Sequence, residues 1–472
     1  MNIDENILKG ITGITYDSRK VSKGNIFVCI KGEKSDGHNF AAQAAEKGAA
    51  LIVSEKELNG NISCPHIVVK DTRLALAQLS AKFYDYPAQK LGLIGVTGTN
   101  GKTTVTHLIE SIFEKAGTSC ALIGTLGSRF SSLDDYASTD HTTPQASDLQ
   151  QNLRVIVDKG IKRAVMEVSS HSLCQDRVAG CEFKGAVFTN LTQDHLDYHI
   201  TMDNYFKAKA QLLELMQEDS YAITNADDEY FKGLKHTLSY GINNDADIKA
   251  ENIKFSVNGS EFLCKTPSGS KQVKLQLTGQ FNIYNVLTAI AVGIAEGIPF
   301  DTCIEAVEAI PGIPGRFEVV SREPLVIVDY AHTPNGLENI LNAAKELVPD
   351  NGKLVCVFGC GGDRDVTKRP QMGRIAEDIC DKVIITSDNP RTEDSQQIIT
   401  DILTGIQELD SKKITVEVDR TIAIEQAIFN ARPQDVIVLA GKGHETYQIV
   451  GTEKHHFDDR EEAAKALQKV MK

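Results

Sequence analysis

Short apolar runs alternate with helix-forming segments along almost the whole chain, and turn residues separate them. Over residues 1–88, the runs at 24–30, 50–54 and 66–69 predict strands, while 41–47 and 73–84 predict helices. Asp85-Tyr86-Pro87-Ala88 then reads as a linker. The alternation continues through 89–314: runs at 91–96, 120–124, 164–168, 185–190 and 221–225 predict strands, and 105–115 and 145–159 predict helices. Strands regularly spaced by helices predict a parallel sheet covered on its faces. Residues 247–278 differ, with Asn258-Gly259 and Pro267-Ser268-Gly269 marking turns between antiparallel strands. After the linker Pro311-Gly312-Ile313-Pro314-Gly315, apolar runs at 325–329, 353–359, 382–387, 415–418 and 435–440 alternate with helical stretches. The predicted class is α/β, with a smaller N-terminal α/β domain (1–88), a central parallel-sheet domain (89–314) and a C-terminal doubly wound, Rossmann-like domain (315–472).

One junction in this pattern carries chemistry. Between the run at 91–96 and the helix at 105–115 lies Thr97-Gly98-Thr99-Asn100-Gly101-Lys102-Thr103-Thr104. Glycines there let backbone N–H groups turn inward around phosphate oxygens; Lys102 is placed to reach the β- and γ-phosphates and Thr103 to hold Mg²⁺. The strict P-loop pattern places glycine five residues before Gly101, where this chain has Val96, so the loop is a variant. The expected co-substrate is ATP and the expected cofactor Mg²⁺.

Composition narrows the picture. A length of 472 residues suits about three domains. A formal net charge of −14 argues against a general nucleic-acid binder, although local Arg and Lys clusters can still oppose an anionic substrate. The first residues, Met1-Asn2-Ile3-Asp4-Glu5, show no signal-peptide pattern, and no apolar stretch approaches a membrane span. The ten cysteines are scattered without a CxxC. Reduced thiols, a cytoplasmic location and a monomer are the expectation.

Two strand ends in the central segment bear ligand-type side chains. Met166-Glu167-Val168-Ser169-Ser170-His171 closes one and Asn190-Leu191-Thr192-Gln193-Asp194-His195 the next. At the carboxyl edge of a parallel sheet, Glu167 and His195 can converge on a divalent cation beside the phosphates. Satisfied polar residues at a sheet edge are the plain alternative, and the neighbouring phosphate loop tips the balance. In the C-terminal segment four polar loops each follow an apolar run. They are Asp329-Tyr330-Ala331-His332-Thr333-Pro334, Gly359-Cys360-Gly361-Gly362-Asp363-Arg364-Asp365, Asp388-Asn389-Pro390-Arg391 and Gly441-Lys442-Gly443-His444-Glu445. Arg364, Arg391 and Glu445 suit a ligand that carries both carboxylates and an ammonium group.

Together these strings closely resemble the Mur ligases, ATP-dependent enzymes that build the peptidoglycan stem peptide, from Tyr16-Asp17-Ser18-Arg19 to Phe457-Asp458-Asp459. The resemblance implies addition of meso-2,6-diaminopimelate to UDP-N-acetylmuramoyl-L-alanyl-D-glutamate through an acyl phosphate; a lysine-adding relative and a folylpolyglutamate synthase are the alternatives. By position it implies ATP contacts from Gly98, Thr99, Asn100, Gly101, Lys102, Thr103, Thr104, Asn285, Arg316 and Asp329, and Mg²⁺ ligation by Thr103, Glu167 and His195. It places the uridine end of the sugar nucleotide on Tyr16, Ser18, Glu33, Lys34 and Ser35. The muramoyl dipeptide falls to Thr142, Thr143, Ser169, Gln175 and Arg177. Diaminopimelate falls to Arg364, Asp388, Asn389, Pro390, Arg391, Gly441 and Glu445. It also implies that Lys209 is carbamylated (N6-carboxylysine); read without the resemblance, Lys209 is a solvated helix charge. Lysine-adding relatives typically lack the arginine of Asp-Asn-Pro-Arg, which is present here as Arg391.

Overall fold

The computed structural model describes residues 8–32, 35–58, 62–131, 136–137, 141–256, 258–408 and 412–470. Among these, the strands form three main sheets and one hairpin. The first sheet runs in chain order and is parallel throughout: β1 (Gly13–Thr15), β2 (Asn25–Val28), β3 (Leu51–Ser54) and β4 (His66–Val68). Successive side chains of β2 point to opposite faces. Ile26 and Val28 pack with helix α2 (Thr72–Phe83), and Phe27 packs with α1 (Ala41–Glu46). Asp71 caps α2, its carboxylate accepting from the N–H groups of Arg73 and Leu74.

The second sheet is built around β5 (Gly92–Thr97), which is flanked in parallel by β8 (Arg163–Glu167) and β9 (Phe183–Phe188). Beyond β8 lie β6 (Cys120–Gly124) and β7 (Gly127–Arg129). Beyond β9 lie β10 (Met216–Asn225), β11 (Leu238–Gly241), β12 (Ile248–Ser256), β13 (Gly259–Thr266) and β14 (Gly269–Leu275). Leu93 packs against α4 (Ala146–Asp158), while Ile94 and Val96 pack against α3 (Lys102–Lys115), α8 (Gln280–Ala295) and α9 (Phe300–Glu308). Because both faces are covered, β5 reads as a continuous apolar run instead of an alternating one. The antiparallel pairing of β12–β13–β14 agrees with the turn signals, and β12 joins the sheet through parallel pairing with β11.

The third sheet has the order β15 (Glu318–Arg322), β16 (Leu325–Asp329), β20 (Val436–Ala440), β17 (Leu354–Phe358), β18 (Lys382–Ile385) and β19 (Ile414–Val416), parallel apart from β15. Helices α10 (Pro334–Lys345), α11 (Lys368–Ile379) and α12 (Ser395–Leu403) cover one face. Helices α13 (Arg420–Phe429) and α14 (Asp459–Val470) cover the other, so the sheet is doubly wound. The order β16–β20–β17–β18 sets the four loops that follow these strands side by side on the carboxyl edge.

The apolar pattern did not reveal β1, β7, β11, β15 or the hairpin of β21 (Tyr447–Val450) and β22 (Glu453–His456). Most of these are short or polar and lie at sheet margins, so they carry too few apolar residues to stand out as runs. All ten cysteines are free thiols, and among the described residues no helix is long and apolar enough to cross a membrane.

Candidate active site

The phosphate loop sits at the carboxyl end of β5 and the amino end of α3. Gly98 has φ +146° and Gly101 φ +85°, and a Cβ on either would strike Thr189 Oγ1 or Asn285 Oδ1. Glycine is required at both for conformation and for space. The Lys102 ammonium donates to the carbonyls of Gly98 (2.9 Å) and Thr99 (2.8 Å), curled onto its own loop. Burial lowers its pKa, and the carboxylates of Glu167 and Asp194 oppose that shift. Two contacts join the loop to the C-terminal domain: Arg316 Nη2 donates to Thr103 Oγ1 at 3.1 Å, and Asn100 Nδ2 to Asn335 Oδ1 at 3.2 Å.

Strand register explains why Glu167 and His195 flank this loop. Val96 pairs with Glu167 across β5–β8, and Thr97 pairs with Phe188 across β5–β9. Glu167 is buried, and its two carboxylate oxygens accept from Thr125 N (2.8 Å) and Thr125 Oγ1 (3.0 Å), a partner that the motifs did not mark. His195 has φ +54°, and its ring stacks edge-on against His171 at 4.8 Å. Burial draws its pKa down to about 4, with Asp194 opposing, so near neutral pH the imidazole keeps a lone pair for ligation. Among the described residues no three His, Cys, Asp or Glu side chains gather into a closed cage. The Glu167 carboxylate and the Thr103 hydroxyl are hard oxygen donors that fit an open Mg²⁺ site, with the neutral imidazole as a nitrogen donor beside them.

Lys209 lies on α7 (Met202–Ala210), which follows the short helices α5 (Ser170–Cys174) and α6 (Leu196–His199), and is not a solvated charge. It is 1 % exposed, its Nζ donating to Gly98 O at 2.7 Å and sitting 4.5 Å from the centroid of the Tyr205 ring. Burial, reinforced by the Lys102 ammonium, holds its pKa well below the usual lysine value. The solvated charge on this helix is Lys207, which pairs with Asp203 at 2.7 Å. Two residues of spacing on a helix place side chains on different faces, so only the tertiary packing separates the two lysines.

A cavity of about 1040 Å³ runs between the carboxyl edges of the central and C-terminal sheets. Its walls include Thr99, Asn100, Gly101, Lys102, Thr103 and Thr104, together with Glu167, His195, Asn285, Arg316 and Asp329. Thr142, Thr143, Ser169, Gln175 and Arg177 line it as well, as do Arg364, Arg391 and Glu445. Asp388, Asn389 and Gly441 open instead into a side pocket of about 130 Å³ that they share with Arg364, Arg391 and Glu445. Pro390 lines neither space. Asp329 is half-buried at the end of β16, and its carboxylate accepts from Phe317 N and Ala331 N, both at 2.7 Å. The Arg316 guanidinium lies 4.6 Å from the centroid of the Tyr330 ring.

Arg177 donates to Thr143 O (3.0 Å) and to Gln175 Oε1 (2.7 Å), and Thr143 Oγ1 donates to Glu167 O (2.9 Å). Tyr16, Ser18 and Ser35 lie outside the cavity. They follow β1 and β2 at the carboxyl edge of the first sheet, where the Tyr16 hydroxyl donates to Asp148 Oδ2 at 3.2 Å. Glu33 and Lys34 fall outside the described residues. Arg73 bridges the two regions, donating to Lys31 O (2.9 Å) and Gln175 Oε1 (3.5 Å).

In the C-terminal domain Arg391 has φ +53°, and its Nη1 donates to Gly362 O at 2.8 Å. Burial and the neighbouring Arg391 lower the Arg364 pKa, which marks two cations close together. Lys442, present in a quoted motif but given no role, proves fully buried. Its contact with the loop after β18 is tertiary.

Such a site, with a phosphate loop facing a loop-built pocket across a domain cleft, defines an ATP-dependent ligase of three domains, and the chain belongs to the Mur ligase family. "Mur ligase family, catalytic domain" matches residues 10–84, "Mur ligase middle domain" residues 96–293 and "Mur ligase, glutamate ligase domain" residues 315–443. The chain is 48 % identical over 475 residues to a UDP-N-acetylmuramoyl-L-alanyl-D-glutamate–2,6-diaminopimelate ligase from Bacillus velezensis (98 % of this chain, 95 % of the relative). It is 49 % identical over 473 residues to the protein of the same name from Thermosynechococcus vestitus (98 % and 94 %). A solved structure of that name superposes with a TM-score of 0.67 at 34 % identity, covering 98 % of this chain and 96 % of the other.

Proposed function

We propose that the protein joins meso-2,6-diaminopimelate to UDP-N-acetylmuramoyl-L-alanyl-D-glutamate in the cytoplasm, converting ATP to ADP and phosphate. The observation that carries this reading is the single cavity in which the phosphate loop faces Arg364, Arg391 and Glu445. Residues 89–314 hold ATP, 1–88 the uridine end of the sugar nucleotide, and 315–472 the amino acid.

A carboxylate is a poor electrophile. Its oxygen attacks the γ-phosphorus, the bond to ADP breaks, and an acyl phosphate forms. Lys102, released from the carbonyls of its own loop, stabilises charge on the transferring phosphoryl group. Mg²⁺, held by Thr103, Glu167 and His195, supplies further charge stabilisation on the phosphates when bound. Thr142, Thr143, Ser169, Gln175 and Arg177 hold the acceptor carboxylate in line. The amine of diaminopimelate then attacks the acyl carbon, phosphate leaves, and the amine gives up a proton. Arg364 and Arg391 bind carboxylates and Glu445 accepts from the ammonium end. Closure of the domains excludes water from the acyl phosphate.

Lys209 enters as a carbamate. An amine reacts with CO₂ only when neutral, and its depressed pKa supplies that form; N–C bond formation releases one proton and leaves a carboxylate beside the metal site. The test of the function is an ADP-release assay that omits each of ATP, UDP-muramoyl dipeptide and diaminopimelate in turn. Release should require all three, and diaminopimelate should be preferred over lysine and ornithine. Preference for lysine would overturn the substrate while leaving the ligase class.

A further inference from the structure

Lys442 lies two residues past the end of β20, where a glycine-flanked lysine would ordinarily reach solvent. Instead it is 0 % exposed. Its Nζ lies within hydrogen-bonding distance of oxygens of four residues: Asp388 Oδ1 (3.2 Å), Asn389 Oδ1 (3.1 Å), Glu445 Oε2 (3.4 Å) and Tyr447 O (2.8 Å), which share its three N–H donors. Three of these residues come from loops that the sequence pattern already marked, yet none of those loops is adjacent to another in the chain. A buried ammonium is costly unless acceptors surround it, so its presence here signals a purpose other than packing.

We propose that Lys442 is the positioning residue of the amino-acid site, a reading that rests on the proposed function. Its ammonium ties the loop after β18 to the loop after β20. It also sets one ammonium between the carboxylates of Asp388 and Glu445, beside the place where the ligand's ammonium docks. The same knot reaches Arg391. Asn389 Oδ1, held by Lys442, also accepts from Ile449 N at 3.0 Å, and Ile449 O accepts from Arg391 N at 3.1 Å. Gly451 N closes the contact by donating to Arg391 O at 2.7 Å. Arg391 is thereby held in its left-handed conformation by the β21–β22 hairpin, and Lys442 holds the hairpin's near end. Gln448 Nε2, donating to Asp388 O at 2.7 Å, is a second tie between the same two parts.

The experiment compares wild type with Lys442→Met in steady-state kinetics with each substrate varied in turn, using the amino acid that the wild type turns over best. Truncating one member of a buried charge cluster leaves its partners unpaired, so the KM for the amino acid is expected to rise about tenfold or more. The KM values for ATP and the UDP-muramoyl dipeptide should stay within about twofold, and the preference for diaminopimelate over lysine should shrink. An unchanged amino-acid KM overturns the proposal, and so does an equal rise in all three, which would mark Lys442 as a support of the fold. Should Lys442→Met fail to fold, Gln448→Ala removes the half-buried second tie. It should raise the amino-acid KM a few-fold and leave that for ATP unchanged, and no change in either overturns the proposal. If the wild type prefers lysine, the substrate reading falls and Lys442 is judged on the KM for lysine.

Discussion

The two ends of the cavity are built differently. At the phosphate end, one contiguous stretch from Gly98 to Thr104 supplies the loop, and backbone geometry is most of its chemistry: positive φ at Gly98 and Gly101 and the start of α3. At the proposed amino-acid end, three loops separated by tens of residues supply the side chains, and a buried lysine joins two of them. A contiguous site tolerates drift elsewhere in the domain because its geometry is local. A dispersed site depends on sheet order and on its internal ties, and it gains specificity because each loop can read a different group of the ligand.

The contrast can be broken first at the phosphate end. Lys102→Ala is expected to lower kcat by on the order of 10²-fold or more while binding of the UDP-muramoyl dipeptide, followed by calorimetry, stays nearly intact. Near-normal turnover would remove Lys102 from the transition state. At the other end Arg391→Ala should raise the KM for diaminopimelate by about ten- to a hundredfold, because on the proposed function a guanidinium that binds a ligand carboxylate is lost. The KM values for ATP and the sugar nucleotide should hardly move; a uniform loss would make Arg391 a structural residue.

Lys209 is tied to the phosphate end through Gly98 and calls for a spectroscopic test. With ¹³C-bicarbonate, the protein should show a carbamate resonance that disappears in Lys209→Ala, whose turnover should fall by about tenfold or more. Persistence of the signal in that variant would assign the carbamate elsewhere. The smallest effect is expected at Lys207→Ala: its ion pair with Asp203 is exposed and contributes about 0.3–0.5 kcal/mol at most, so kcat and the carbamate signal should remain within about twofold of wild type.

The sequence by itself determined the parts whose signal is local. The apolar runs named most of the inner strands, though not the polar β11, because strands buried on both faces need continuous apolar residues, and the glycine loop announced nucleotide chemistry because its conformation demands glycine in place. The strand-end positions of Glu167 and His195 were legible for the same reason. Only the tertiary structure decided that Lys209 is buried and Lys207 solvated, that Thr125 holds Glu167, that Arg316 reaches Thr103, and that Lys442 binds two loops into one site. Burial and charge pairing are sums over residues distant in the chain, and a lysine's side chain is the same whether its neighbours are water or carboxylates. Its environment, set by sheet order and helix packing, makes it a solvated charge, a reactive amine or an internal tie.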